Sequence, residues 1–167
     1  LAPQEVFRYF KEISDVPRAS RHNEKISAYL VKFAREHGLE YYQDEALNVI
    51  IWKDGTHGYE DSDMVMIQGH MDIVVEKTED STHDFQNDPL ELIVDGDTIT
   101  AKDTTLGADD GIAIAMGLAI LDSTDIPHPP IELIVTVDEE IGMLGANALD
   151  GSKIRSRKII NLDSDEE

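Results

Sequence analysis

Four short clusters in this 167-residue chain carry residue types that bind cations or move protons. They are Gly69-His70-Met71-Asp72, Gly107-Ala108-Asp109-Asp110-Gly111, Asp138-Glu139-Glu140 and Asn161-Leu162-Asp163. Three of them directly follow an apolar, β-branched run, and the Asp109 cluster opens an Ala/Ile/Met-rich stretch. Carboxylates and an imidazole gathered at strand ends suit a metal site, and the chemistry such a site supports is metal-assisted hydrolysis. His70 is a candidate imidazole ligand. Asp72, two residues further along an extended backbone, points the same way and can accept the other ring N–H. A structural His at a strand end would give the same triplet. Asp109 and Asp110 lie between glycines, where a carboxylate could bridge two cations; the competing role is an N-cap for the following helix, which suits Asp110. Glu139 and Glu140 can divide labour as general base and ligand, or simply form an acidic turn. Asp163 ends its strand in the same manner, whereas Asp165, Glu166 and Glu167 read as a solvated tail.

Convergence favours the metal. If Asp109, Glu140 and Asp163 meet, each pair of charges about 5 Å apart repels by roughly 3 kcal/mol at an effective dielectric near 20. No nearby stretch of sequence holds enough Lys or Arg to offset this, whereas divalent cations would. An imidazole with carboxylates and no thiolate suits Zn²⁺, with Mn²⁺ or Co²⁺ as alternatives, better than Mg²⁺ or Ca²⁺.

These clusters need a scaffold that brings distant segments to one rim. Val6, Phe7, Phe10 and Ile13 recur at helical spacing and predict a helix over 4–14. After Pro17, Ser20 can cap a second helix running to about His37, with Gly38 as its stop signal. Strand-like runs follow at 40–43, 48–53 and 64–68, and 76–89 reads as a polar loop. Residues 90–94 and 98–101 flank Asp95-Gly96, a hairpin signal. A buried helix over 112–121, a buried strand over 131–137, a short helix over 144–149 and a strand over 158–162 complete the order. The expected fold class is α/β: a mixed, mostly parallel sheet flanked by helices on both faces. Ligands in such sheets sit beyond the carboxyl ends of the parallel strands. His70, Asp72, Glu139, Glu140 and Asp163 fall there, and Asp109 falls at a helix start.

Composition bounds the rest. Hydrophobic residues make up 41% of the chain, enough for one domain with a substantial core. A formal charge of −21 argues against nucleic acid and anionic membrane as partners. There is no Cys, hence no disulfide and no thiolate ligand. No apolar run approaches a membrane span and no signal peptide is visible, although the chain starts at Leu1 rather than Met.

Taken together, Gly69-His70-Met71-Asp72, Thr104-Thr105-Leu106-Gly107-Ala108-Asp109-Asp110-Gly111, Val137-Asp138-Glu139-Glu140-Ile141-Gly142 and Asn161-Leu162-Asp163-Ser164 resemble the metal-site motifs of the dinuclear zinc aminoacylase/carboxypeptidase superfamily. Within it, the chain resembles the aminoacyl-histidine (Xaa-His) dipeptidases of the cytosolic carnosinase type. Supporting segments are residues 6–14, Pro17-Arg18 and Ser81-Thr82-His83-Asp84-Phe85. The resemblance implies a zinc exopeptidase-like domain with two zinc ions in the complete site. It implies that His70 and Asp163 bind the first zinc, Asp109 bridges both and Glu140 binds the second. Asp72 would orient His70, and Glu139 would be the general base. A cis peptide is implied after Asp109. The implied substrate is a dipeptide, often with a C-terminal His, hydrolysed by a zinc-activated water in the cytoplasm, with a homodimer as the candidate assembly of the full-length protein. A related tripeptidase, an N-acyl amino acid hydrolase and a non-catalytic metal-binding fragment are the alternatives. Family members are more than twice this long, so residues 1–167 are expected to be the N-terminal part of the catalytic domain. A lid domain and a last His ligand would lie beyond it.

Overall fold

The computed structural model describes residues 1–163; Ser164 and the expected tail of Asp165, Glu166 and Glu167 lie outside the described residues. The amphipathic N-terminal run forms α1 (Gln4–Ser14), which buries Val6, Tyr9, Phe10 and Ile13. The second helix, α2, spans Glu24–Glu36 and starts later than expected. The Ser20 hydroxyl does not cap it but donates to Asp72 at 2.8 Å, and Arg21 turns the chain with a φ of 68°. Strands β1 (Glu40–Gln43), β2 (Val49–Lys53) and β3 (Val65–His70) follow, then a hairpin of β4 (Leu92–Asp95) and β5 (Thr98–Ala101). Asp95 pairs with Thr98, so the two-residue loop is Gly96-Asp97, one position later than expected; Gly96 takes the positive φ that such a loop requires. Helix α3 (Ala108–Asp122), strand β6 (Ile131–Thr136), helix α4 (Leu144–Ala148) and strand β7 (Lys158–Asn161) complete the order. No helix among the described residues is long and apolar enough to cross a membrane.

The main sheet runs β1-β2-β6-β3-β7. β6 pairs in parallel with β3, and β3 with β7, while β2 is antiparallel to both of its neighbours. The sheet is therefore mixed, with only β2 running against the rest. Helices cover its faces unequally. α1, α2 and α3 share one core with Val49, Ile51, Ile67, Leu133 and Val135. The opposite face is smaller: Ile50, Trp52, Met66 and Ile134 pack under Leu149 and Ile154 from the segment after α4. The register aligns His70 with Thr136 and Gln68 with Asn161, so the carboxyl ends of β3, β6 and β7 form one rim.

Every residue of β6 is buried, including Glu132. Its carboxylate accepts from Trp52 Nε1 (2.8 Å), Arg155 N (2.8 Å), Ser156 N (3.1 Å) and the Ser156 hydroxyl. Burial opposes ionisation, but these donors win and hold the group below the usual glutamate range. Glu132→Ala is expected to cost about 3 kcal/mol, because three N–H donors lose their acceptor inside the protein. Glu132→Gln keeps one acceptor oxygen and should cost less. Urea midpoints test this, and equal midpoints for wild type and Glu132→Ala would contradict it.

Candidate metal centre

β3 runs straight into the site. His70, its last residue, is 1% exposed. Its Nδ1 lies 3.0 Å from the main-chain oxygen of Asp72, and its Nε2 lies 3.0 Å from Asp109 Oδ1. Both ring nitrogens thus face oxygens that can accept a hydrogen bond, and Nε2 faces the candidate ligand Asp109. Burial works against a positive charge on the ring, but Asp72, Asp110 and Asp109 outweigh it and raise the pKa to about 9. A metal ion bound at Nε2 would take the place of a proton there.

Asp72 is fully buried, and its carboxylate does more than the sequence suggested. The Nδ1 of His70 is closer to the Asp72 carbonyl than to the carboxylate, which lies 3.5 Å away. The carboxylate instead accepts from the Glu139 amide (2.9 Å), the Glu140 amide (3.3 Å) and the Ser20 hydroxyl (2.8 Å). Burial pushes its pKa up, but these donors and His70 prevail and hold it below the usual range. One side chain thus fixes both the His70 strand exit and the backbone of the Glu139-Glu140 turn.

Asp109 and Asp110 open α3 with non-helical angles, and the peptide bond between them is cis. Their side chains diverge. Asp109 is exposed toward His70 Nε2, while Asp110 is buried and accepts from the His70 amide at 3.1 Å. Asp110 therefore ties α3 to β3 rather than capping α3. Burial pushes it up to about 7, with Asp163 and Asp109 adding to the rise against the pull of His70. A Cβ at Gly69 would lie 2.5 Å from the Asp110 carboxylate, which explains the glycine before His70.

Glu139 and Glu140 leave β6 just past its end. Asn48, a residue with no signature in the sequence, holds both ends of this loop: its side chain accepts from Val137 N and donates to the Gly145 carbonyl, each at 2.9 Å. Asp138, with φ 53°, accepts from the Arg21 amide (2.6 Å) and Asn23 Nδ2 (2.7 Å), linking the loop to the segment before α2. Glu140 is raised above the usual glutamate range, first by burial and then by its acidic neighbours.

Two sets of donors result, sharing His70: His70, Asp109 and Glu140, and His70, Glu139 and Asp163, each with atoms within 4.8 Å of one another. The expected division placed Asp163 with His70, and Asp109 with both ions. The structure brings all five residues to one rim, but it groups Asp109 only with His70 and Glu140, and sets Glu139 in place of Asp109 beside His70 and Asp163. An imidazole ringed by carboxylates, with no thiolate, fits zinc, manganese or cobalt. The sequence missed Asn48 and Ser20. It also missed the buried counter-charge, because Arg18 lies far along the chain from the Asp72, Asp109 and Asp110 charges it faces. Its neighbourhood was visible only as the Pro17-Arg18 motif.

No family model matches the chain. It is 40% identical over 167 residues, all of this chain and 34% of the relative, to the cytosol non-specific dipeptidase of Escherichia coli (strain K12). It superposes on the crystal structure of aminoacylhistidine dipeptidase from Vibrio alginolyticus with a TM-score of 0.96 and 42% identity, covering 100% of this chain and 34% of that one. A tripeptidase from Staphylococcus aureus matches with a TM-score of 0.79 and 25% identity, covering 96% and 43%. The chain thus spans about a third of the length of the two dipeptidases it matches. Both the resemblance to the aminoacyl-histidine dipeptidases and the mixed, mostly parallel α/β fold are borne out.

Proposed function

We propose that this chain carries the metal-binding rim of a zinc-dependent dipeptidase, of Xaa-His or broader dipeptide specificity. The observation that carries the reading is His70, held between the Asp72 carbonyl and the Asp109 carboxylate at the meeting point of three strand ends. His70, Asp109, Glu140 and Asp163 would hold the ions. Bound zinc would supply polarisation of the scissile carbonyl and a lowered pKa for the attacking water. Glu139 would accept a proton from the attacking water as its oxygen adds to the carbonyl carbon, and would give that proton to the amine nitrogen as the C–N bond then breaks. The Glu139 backbone is held by Asp72, which keeps base and ligands in one frame.

The 40% identity to a dipeptidase supports a peptide substrate, and the name of that relative supports a cytosolic location. The likeness to a tripeptidase keeps a longer peptide as the second reading. We read the chain as the N-terminal part of the catalytic domain, with the lid and a further His ligand beyond it and a homodimer as the assembly. The charge of −21 disfavours nucleic acid and anionic membrane partners.

The test has two arms. Residues 1–167 alone should bind about one zinc tightly and a second weakly, because His70 is shared by the two donor sets and can serve one ion, which leaves the other with two carboxylates and most of its coordination shell to water. They should turn over little dipeptide. The full-length protein should hydrolyse β-alanyl-histidine or other dipeptides in a zinc-dependent way. Two tight sites on the 167-residue chain would remove the need for a further ligand, and no peptide hydrolysis by the zinc-loaded full-length protein would overturn the enzyme reading.

A further inference from the structure

A buried cation sits behind the acidic rim. Arg18 is 1% exposed, and its backbone carbonyl accepts from the Ile73 amide at 3.1 Å, just past the site strand. Its guanidinium then forks. Nη1 donates to the Met71 carbonyl at 3.3 Å, and Nη2 donates to the Gly107 carbonyl at 2.5 Å. Met71 lies between His70 and Asp72, and Gly107 lies two residues before Asp109. The two glycines bracketing the Asp pair pack against the same group: a Cβ on Gly107 would lie 2.7 Å from Nη2, and one on Gly111 2.6 Å. Gly107 also has a φ of 67°, whereas Gly111 does not take a positive φ and owes its lack of a side chain to this contact. Burial lowers the Arg18 pKa to about 10, with Asp72, Asp110 and Asp109 opposing the fall, so the group stays charged at neutral pH.

We propose that Arg18 is a positioning residue for the metal site, its planar fork holding the His70–Asp72 strand exit and the Gly107–Gly111 turn at the separation that sets His70 against Asp109. The proposal rests on the metallopeptidase reading above. The buried Arg18 side chain hydrogen-bonds to two main-chain carbonyls, of Met71 and Gly107, and acts through them. A lysine would keep the charge but present a single point donor in place of the fork.

Zinc alone, titrated calorimetrically into the full-length protein and its variants, tests this. The dissociation constant is expected to rise by about 10- to 100-fold in both Arg18→Lys and Arg18→Met, the usual scale for residues that orient ligands. Melting curves of the metal-free forms, run alongside, report folding. A residue serving stability alone would lower the metal-free melting temperature and leave zinc affinity at the wild-type value, which would overturn the proposal. Wild-type affinity in Arg18→Lys would also overturn it, by assigning the role to charge instead of the fork. If neither Arg18 variant folds, Gly111→Ala decides, because its Cβ displaces the guanidinium without removing it. That variant should weaken zinc binding on the same scale, and unchanged affinity would overturn the proposal. Wild-type protein that binds no zinc would instead remove the metallopeptidase reading on which the proposal stands.

Discussion

In a Glu139→Ala variant of the full-length protein, peptide turnover is expected to fall by roughly 10²- to 10⁴-fold, the contribution of a well-placed general base. Zinc content should stay at the wild-type level. The Glu139 side chain is partly open to solvent, with Oε2 3.9 Å from His70 Nε2, so it borders the place where an attacking water would stand. Its neighbour Glu140 lies with His70 and Asp109 in the other donor set, so Glu140→Ala should lose metal as well as activity. The outcome is open to a clear reversal, because Glu139 also has an oxygen within ligand range of His70 and Asp163. Metal loss in Glu139→Ala together with metal retention in Glu140→Ala, measured by elemental analysis, would exchange the two roles.

Chelation with EDTA is expected to abolish hydrolysis by the full-length protein and to lower the melting temperature of the 167-residue chain. Without cations, the carboxylates of Asp109, Asp110, Glu140 and Asp163 surround a site whose buried positive charges are His70 and Arg18. Burial first, and then the neighbouring acids, push Asp110 up to about 7 and raise Glu140 above the usual glutamate range. Free zinc at 100 times its dissociation constant would stabilise the fold by about 2.7 kcal/mol per site. For the 167-residue chain by itself, one such site corresponds to roughly 5–11 °C in melting temperature. Re-addition of zinc should restore both properties. Superimposable melting curves with zinc and with EDTA would mean that the rim does not hold an ion tightly in the folded state.

The alternation of apolar runs and turn residues determined most of the elements. β2, β3 and β6 are largely apolar, interrupted by few polar residues such as Gln68 and Glu132, and were legible because a strand buried on both faces needs no polar alternation. The candidate ligands were legible for a related reason. His70, Glu139 and Glu140 close or follow such a run, and Asp163 follows the exposed apolar strand β7, so each stands at a strand end where a polar group has to find a partner. Tertiary structure decided which of these groups face one another. The pairing of His70 with Thr136 across β3 and β6 is set by sheet register, which no local pattern records. It also decided what the supporting residues do. Arg18 reaches carbonyls 53 and 89 residues away, and Asn48 an amide 89 residues away. Ser20 left its expected cap for Asp72, and Asp110 left its own for the His70 amide. Propensity and periodicity act within a turn or two of the chain. A buried donor or acceptor is satisfied by whatever the folded core brings beside it, and that partner is chosen only once the sheet has assembled.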